Sequence, residues 1–134
     1  MQETLRSAGH GRTVVVVEDN ERSRRLACDL LELHGFDVVG AGSAEEGLDE
    51  VRRVVPDLVL LDVQLPGIDG IEALRQLRTD PGLDDVAAVV VTAFAMRGDE
   101  ERFLAHGFDA YIAKPIDTRA FVPALLEVLR VRGC

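Results

Sequence analysis

The chain is 134 residues long, the size of one ordinary domain and too short for two. Its 15 basic and 24 acidic residues give a formal net charge of −9, and a negative field repels nucleic acid and anionic membrane surfaces. Apolar residues make up 47% of the chain but form no run near the ~20 residues of a membrane span, and no signal peptide is evident. We therefore expect a cytoplasmic protein that binds neither nucleic acid directly nor membranes.

Short apolar runs alternate with helical spacing along most of the chain. Residues 1–12 are polar and lack periodicity, so we expect a flexible N-terminal tail. From Thr13 onward, β-branched or leucine-rich runs predict strands over 13–17, 36–40, 58–61, 86–91 and 110–113, each followed by a helix. The ordered domain is expected to span 13–131, with a short tail over 132–134 and no output domain.

One face of several predicted helices is apolar, so each of these helices is expected to pack on a sheet. Asn20, Ser43 and Asp117 are predicted N-cap residues, and Gly35 and Gly107 are predicted to end helices. The predicted buried stripes are Leu26, Leu30 and Leu33; Ala44, Leu48, Val51 and Val55; and Phe121, Leu125 and Val128.

Several predicted strands are apolar throughout instead of alternating, as expected of a parallel sheet covered by helices on both faces. We predict a doubly wound α/β fold: a flavodoxin-like (βα)5 three-layer sandwich with a five-stranded parallel sheet of order 2-1-3-4-5. Ligands bind such sheets beyond the carboxyl ends of the strands, where the strand order reverses. The residues that directly follow each strand are therefore candidates for a functional site.

Polar residues follow four of the five predicted strands: Glu18 and Asp19, Asp62, Thr92 and Lys114. Clustered carboxylates are unfavourable without a cation, and hard oxygen ligands without histidine or cysteine favour Mg²⁺. A carboxylate beside Mg²⁺ and an ammonium can accept a phosphoryl group as an acyl phosphate, with Thr92 donating its hydroxyl to a phosphoryl oxygen. Lys114 is the only lysine in the chain, and its compact ammonium suits a crowded pocket better than a planar guanidinium.

Four stretches resemble the receiver domains of two-component response regulators in their order and spacing: VVVVEDN, LVLLDVQLPGIDG, VTAFA and AYIAKPI. The match runs from residue 13 to about residue 131. VTAFAMRGDEER with YIAKPI looks especially like single-domain regulators of the DivK type, and also like the receiver modules of hybrid histidine kinases. The resemblance implies a phospho-accepting signalling domain and not an enzyme. The only reaction expected after phosphorylation is slow self-dephosphorylation.

The resemblance also implies a metal site. Asp62 and Asp19 would bind Mg²⁺ directly, Gln64 would bind it through its backbone carbonyl, and Glu18 would assist through a water molecule. Asp62 would be the phosphoryl acceptor of this site, and the peptide bond between Lys114 and the proline after it would be cis.

The switch that the resemblance implies starts with a phosphohistidine on a histidine kinase or a histidine phosphotransfer protein, which donates its phosphoryl group to Asp62. Lys114 pairs with the phosphoryl group, Thr92 moves toward it and Tyr111 turns inward. The face formed by the fourth helix, fifth strand and fifth helix then changes shape for a downstream protein partner.

Pro123 lies in that last helix, where an interior proline costs about 3 kcal/mol, so we expect a kink or a late helix start.

Two alternatives stay open: a receiver module of a hybrid histidine kinase phosphorelay, and a pseudo-receiver that binds partners without being phosphorylated. An FMN-binding flavodoxin shares the predicted fold, but Glu18 and Asp19 would repel its phosphate. A phosphatase of the haloacid-dehalogenase type would need a second aspartate two residues after Asp62, where Gln64 stands.

Overall fold

The computed structural model describes residues 11–63, 68–93 and 98–132. Within these ranges one parallel sheet contains β1 (Thr13–Val17), β2 (Asp37–Ala41), β3 (Leu58–Asp62), β4 (Ala87–Thr92) and β5 (Ala110–Ala113), in the order β2-β1-β3-β4-β5. The helices are α1 (Glu21–Leu33), α2 (Ala44–Val54), α3 (Gly70–Arg78), α4 (Asp99–Ala105) and α5 (Phe121–Val131), with a 3₁₀ turn at Pro81–Leu83. The predicted fold class, strand order and strand positions are confirmed, the last to within one residue.

Both faces of the sheet are buried, which explains why the strands are apolar throughout. In β1, Val14 and Val16 point into a core formed with α1 and α5, whereas Val15 and Val17 point into a core formed with α2, α3 and α4. All four valines are at most 2% exposed. The sandwich therefore has three layers, and none of the helices in the described part of the chain could span a bilayer.

The apolar stripe predicted for α1 is wrong. Leu26 and Leu33 are 41% and 61% exposed, and the helix packs instead through Ala27 and Leu31, with Leu30 partly buried beside them. Because both sets of residues have helical spacing, periodicity alone did not identify the packed face.

Helix α2 ends at Val54, one residue before the last residue of its predicted stripe. Ala44, Leu48 and Val51 are buried as predicted, whereas Val55 is the left-handed C-cap residue, with a φ of 44°, and is 56% exposed. The stripe Phe121, Leu125 and Val128 is buried in α5 as predicted.

Two predicted N-cap residues and two predicted helix-ending glycines are confirmed. The side chains of Asn20 and Ser43 accept hydrogen bonds from the backbone N–H groups of Ser23 and Glu46. Gly35 and Gly107 have φ values of 90° and 108°, the left-handed conformation that glycine adopts without strain after a helix.

The start of α5 differs from the prediction. Asp117 is not its N-cap residue: Asp117 accepts hydrogen bonds from the backbone of Arg119 and Ala120, which forms a separate turn, and α5 begins at Phe121. Pro123 therefore lies in the first turn, where its missing N–H needs no partner. Of the two expected outcomes at Pro123, the late helix start is the one observed.

Charged side chains form a clasp at the amino end of β4 and β5. The carboxylate of Asp109 accepts hydrogen bonds from the N–H of Ala88 at 2.8 Å and from Arg132 at 2.9 Å. Arg78 Nη2 lies 3.7 Å from Asp109 Oδ2. Arg78 also donates to the carbonyl of Val86, and Arg132 donates to another backbone carbonyl nearby. The clasp therefore joins the ends of α3 and α5 to the sheet.

Asp109→Ala is expected to lower the free energy of unfolding by about 2–4 kcal/mol. The substitution leaves the buried N–H of Ala88 without this acceptor and removes the carboxylate that pairs with two half-buried guanidinium groups. Urea unfolding followed by circular dichroism measures the change. Glu127→Ala, which removes the exposed ion pair with Arg130, is the control and should be neutral; equal stabilities of the two variants would contradict the prediction.

Candidate functional site

Three strand ends bring together the acidic and basic residues of the candidate site. Val17 pairs with Leu61, so the residues that follow them, Glu18 just after β1 and Asp62 at the end of β3, lie side by side at the carboxyl ends of the strands. Thr92 pairs with Ala113, so Lys114 leaves β5 at the same edge. Because β2 lies at the margin of the sheet, its unreactive end does not enter the group.

Lys114 connects two buried carboxylates from different strands. Its Nζ donates to Asp62 Oδ2 at 2.7 Å and also to Glu18 Oε1. Glu18 and Asp62 are only 5% and 7% exposed, although both belong to a residue class that usually faces water. The predicted convergence of Lys114 with these two acids is therefore present in the structure.

Burial and mutual charge alter the protonation of this group. Burial raises the pKa of Glu18, and Asp62 raises it further against the lowering effect of the hydrogen bond from Lys114. Burial alone would lower the pKa of Lys114, but the hydrogen bonds and charges of Asp62 and Glu18 outweigh it and raise that pKa. Lys114 is thus held as an ammonium ion.

Oxygen atoms of Glu18, Asp19 and Asp62 all lie within 4.8 Å of one another. Asp19 is exposed while the other two are buried, so the cluster opens to solvent on the side of Asp19. Three carboxylates against one ammonium leave an excess of negative charge, and hard oxygen donors are those that Mg²⁺ prefers. The donor set fits Mg²⁺; the predicted contribution of Gln64 lies outside the described residues.

Thr92 and Tyr111 lie on the same face of the sheet. Tyr111 pairs with Val90 in the adjacent strand, and Thr92 lies two residues further along β4, so the two side chains lie on one face of the sheet, the face on which Tyr111 contacts Phe103 of α4. Thr92 is fully buried, and its carbonyl accepts a hydrogen bond from the N–H of Lys114 at 2.8 Å. The peptide bond between Lys114 and Pro115 is cis, as the sequence resemblance implied.

Tyr111 stacks on Phe103 of α4, with ring centroids 5.8 Å apart and ring planes at 17°. Phe103 is fully buried and also meets Phe108 edge-on. Burial and the carboxylates of Asp99 and Glu100 raise the pKa of the Tyr111 hydroxyl. Sequence reasoning did not identify Phe103 as a neighbour of Tyr111; its position four residues before the predicted helix end at Gly107 was the available signal.

A cavity of about 370 Å³ opens beside the acidic cluster. Its polar lining includes Glu18, Asp62 and Lys114, and its apolar lining includes Leu26 and Ala93. The cavity therefore places open space between the carboxylate of Asp62 and α1.

The charge on Glu18 should lower the stability of the folded protein. Because the pKa of Glu18 is raised above its ordinary value of 4.5, ionisation costs free energy in the fold; this cost is absent below pH 4.5 and full above the raised pKa. Glu18→Gln is therefore expected to raise the melting temperature at pH 7 in a chelator, with the two proteins converging as the pH falls toward 4. The exposed Glu127→Gln is the control, and a lower melting temperature for Glu18→Gln at pH 7 would refute the prediction.

The chain is similar to known proteins along all five of its βα units. Residues 14–126 match the response regulator receiver domain family. The chain is 42% identical over 118 residues to the polar-differentiation response regulator DivK of Brucella ovis, covering 88% of this chain and 96% of that protein. A solved putative response regulator from Chloroflexus aurantiacus has a TM-score of 0.83 and 27% identity, covering 89% of this chain and 98% of that one. A solved sensor protein from Polaromonas sp. JS666 has a TM-score of 0.84 and 30% identity, covering 92% and 99%.

Proposed function

We propose a function for this chain, which belongs to the response regulator receiver domain family of two-component signalling. The proposed function is to accept a phosphoryl group on Asp62 from the phosphohistidine of a partner protein. The observation that carries the proposal is the 2.7 Å contact between Lys114 Nζ and Asp62 Oδ2 within a cluster of three carboxylates. An acid held this way lies beside the positive charge that a transferred phosphoryl group needs.

In the transfer, a carboxylate oxygen of Asp62 forms a bond to phosphorus while the bond between phosphorus and the partner's imidazole nitrogen breaks. The imidazole keeps the electron pair of that bond, and the product is an acyl phosphate on Asp62. Lys114 and the hydroxyl of Thr92 contact the phosphoryl oxygens.

Asp62, Asp19 and the backbone carbonyl of Gln64 would hold Mg²⁺ directly, with Glu18 acting through water. When bound, the ion supplies positive charge against the acids and the incoming phosphoryl oxygens. The exposed carboxylate of Asp19 leaves the open side of the cluster for it. The 370 Å³ cavity and the small side chain of Ala93 support access for the donor.

Thr92 and Tyr111 form the switch. Thr92 is drawn toward the phosphoryl oxygens, and Tyr111 leaves its stack on Phe103 and turns inward on the same face of the sheet. The phosphoryl group shifts the population of the two states only through its different contacts with each. A downstream protein reads the resulting change on the face formed by α4, β5 and α5, and slow self-dephosphorylation resets it.

The match to DivK over 96% of that protein's length favours a single-domain regulator. Its partners are a histidine kinase or a histidine phosphotransfer protein, met in the cytoplasm, with no direct contact to nucleic acid because the net charge is −9. The likeness to a sensor protein supports a second candidate, the receiver module of a hybrid kinase phosphorelay.

The test is to incubate the intact protein with a small acyl phosphate and Mg²⁺ and to measure its mass. We expect a gain of one phosphoryl group, located by fragmentation on the peptide that contains Asp62, and no gain when Mg²⁺ is chelated. Absence of the gain with acyl phosphate and with phosphoramidate donors would sink the proposal and favour a pseudo-receiver.

A further inference from the structure

Arg24 of α1 reaches back over the end of β1. Its Nη1 donates a hydrogen bond to the backbone carbonyl of Glu18 at 2.8 Å. Val17 is the last residue of β1 that pairs with its neighbours in the sheet, so the Glu18 carbonyl lies just beyond the regular ladder. A side chain from the following helix thus supplies a hydrogen bond where the sheet ends.

The turn that carries Asp19 is held on both sides. On one side, the N–H of Glu18 donates to the carbonyl of Ala41 at 3.0 Å, and the carbonyl of Glu18 accepts from Arg24. On the other side, the N–H of Asn20 donates to the carboxylate of Glu18, and the side chain of Asn20 caps α1. The backbone of Asp19 lies between these anchors, so its exposed carboxylate is placed by them.

The end of β2 gives Arg24 its path. A Cβ atom added at Gly40 would lie 3.3 Å from Arg24 Cδ, and one added at Gly42 would lie 3.4 Å from Arg24 Nη1. Neither glycine has a positive φ, so the backbone conformation does not demand glycine at either position. The end of β2 contributes no reactive group to the site, but its missing side chains leave room for the arginine.

We propose that Arg24 is a positioning residue for the divalent cation site: by holding the Glu18 carbonyl, it fixes the turn that presents Asp19 beside Asp62. The inference rests on the proposed function, because it assumes that these carboxylates bind Mg²⁺. Residues that orient metal ligands without touching the metal contribute measurably to affinity in other proteins.

Two substitutions at constant charge test the role. Arg24→Lys keeps the positive charge but is one atom shorter, so the direct hydrogen bond to Glu18 is lost. Gly40→Val keeps Arg24, but the valine side chain on β2 crowds the side chain of Arg24 on α1. Removing the charge altogether is less informative, because loss of a nearby positive charge by itself favours a bound cation. Arg25→Lys, at the exposed neighbouring position on α1, is the matched control.

Isothermal titration calorimetry with Mg²⁺ alone gives the main readout. Arg24→Lys and Gly40→Val are each expected to weaken Mg²⁺ binding roughly tenfold relative to the wild type and to Arg25→Lys. Phosphorylation by acyl phosphate should need correspondingly more Mg²⁺ for half its maximal rate, with the rate at saturating Mg²⁺ unchanged. The double variant Arg24→Lys with Gly40→Val should be no worse than either single variant, because both break the same contact.

The outcomes separate this inference from the proposed function. If the wild type binds Mg²⁺ and both test variants bind it as Arg25→Lys does, the contact of Arg24 with Glu18 only packs α1 and the inference is overturned alone. If affinity and melting temperature in a chelator fall together in both variants, general loosening explains the result and the inference is also overturned. If the wild type itself does not bind Mg²⁺, the proposed function fails and takes this inference with it.

Discussion

Asp62→Asn is expected to gain no phosphoryl group from an acyl phosphate in the presence of Mg²⁺. In the absence of Mg²⁺, it is expected to melt at a higher temperature than the wild type. The amide lacks the nucleophilic carboxylate, so the acyl phosphate cannot form. Stability should rise because Asp62 and Glu18 are two buried carboxylates beside a single ammonium, and removing one charge relieves their repulsion. Loss of function with a gain in stability is typical of a functional site, where charges are kept at a cost to the fold.

The two readouts of Asp62→Asn keep the prediction independent of misfolding. Intact mass reports phosphorylation, and thermal unfolding in a chelator reports stability. Asp69→Asn is the matched control, since Asp69 is an exposed N-cap residue of α3 and asparagine caps a helix equally well. A phosphoryl gain that persists in Asp62→Asn would place the acceptor elsewhere, and a lower melting temperature would show that the carboxylate of Asp62 stabilises the fold.

Much of the fold could be predicted because strand and helix patterns are strong in this chain. Valine runs such as 14–17 are apolar at every position, which is typical of strands in a sheet covered on both faces. The packed face of α1 could not be predicted, because the predicted stripe and the packed set around Ala27 and Leu31 both have helical spacing, so periodicity does not decide which of them faces the sheet. The N-cap of α5 was wrongly assigned to Asp117 because aspartate offers the same capping chemistry to an isolated turn as to a helix.

The candidate site was predictable where chemistry follows directly after a strand. Glu18, Asp62 and Lys114 occupy such positions, and parallel strands align their carboxyl ends at one edge. Arg24 and Phe103 were not predicted, for different reasons. Arg24 acts through a backbone carbonyl, which leaves no trace in residue types, and Phe103 contacts Tyr111 only because α4 packs over β5.

Lys114→Met is expected to slow phosphorylation of Asp62 by about 100-fold or more and to lower the free energy of unfolding by about 2–4 kcal/mol at pH 7. The rate falls because the phosphoryl oxygens lose a fixed positive charge. Stability falls because Glu18 and Asp62 keep their burial but lose the ammonium that both contact. These effects on stability are opposite to those of Asp62→Asn and Glu18→Gln, so the three variants together measure the charge balance of the cluster.

The pH dependence of Lys114→Met follows from Glu18. The pKa of Glu18 is already raised by burial, and loss of the hydrogen bond from Lys114 removes an influence that lowers it. The stability deficit should therefore be larger at neutral pH than at pH 4.5, because a falling pH favours the protonated form of Glu18, which needs no ammonium partner. Urea unfolding at several pH values in a chelator measures this, and added Mg²⁺ should restore part of the lost stability at pH 7.

Lys114→Arg is the matched control for charge. It keeps the positive charge, so most of the stability should remain, but its planar guanidinium fits the position between two carboxylates less well and phosphorylation should still be slower than in the wild type. A deficit in Lys114→Met that does not change between pH 7 and pH 4.5 would mean that lost packing, not uncompensated carboxylate charge, accounts for the change. In that case, the positive charge of Lys114 would not be the reason that the carboxylates of Glu18 and Asp62 are stable side by side when buried.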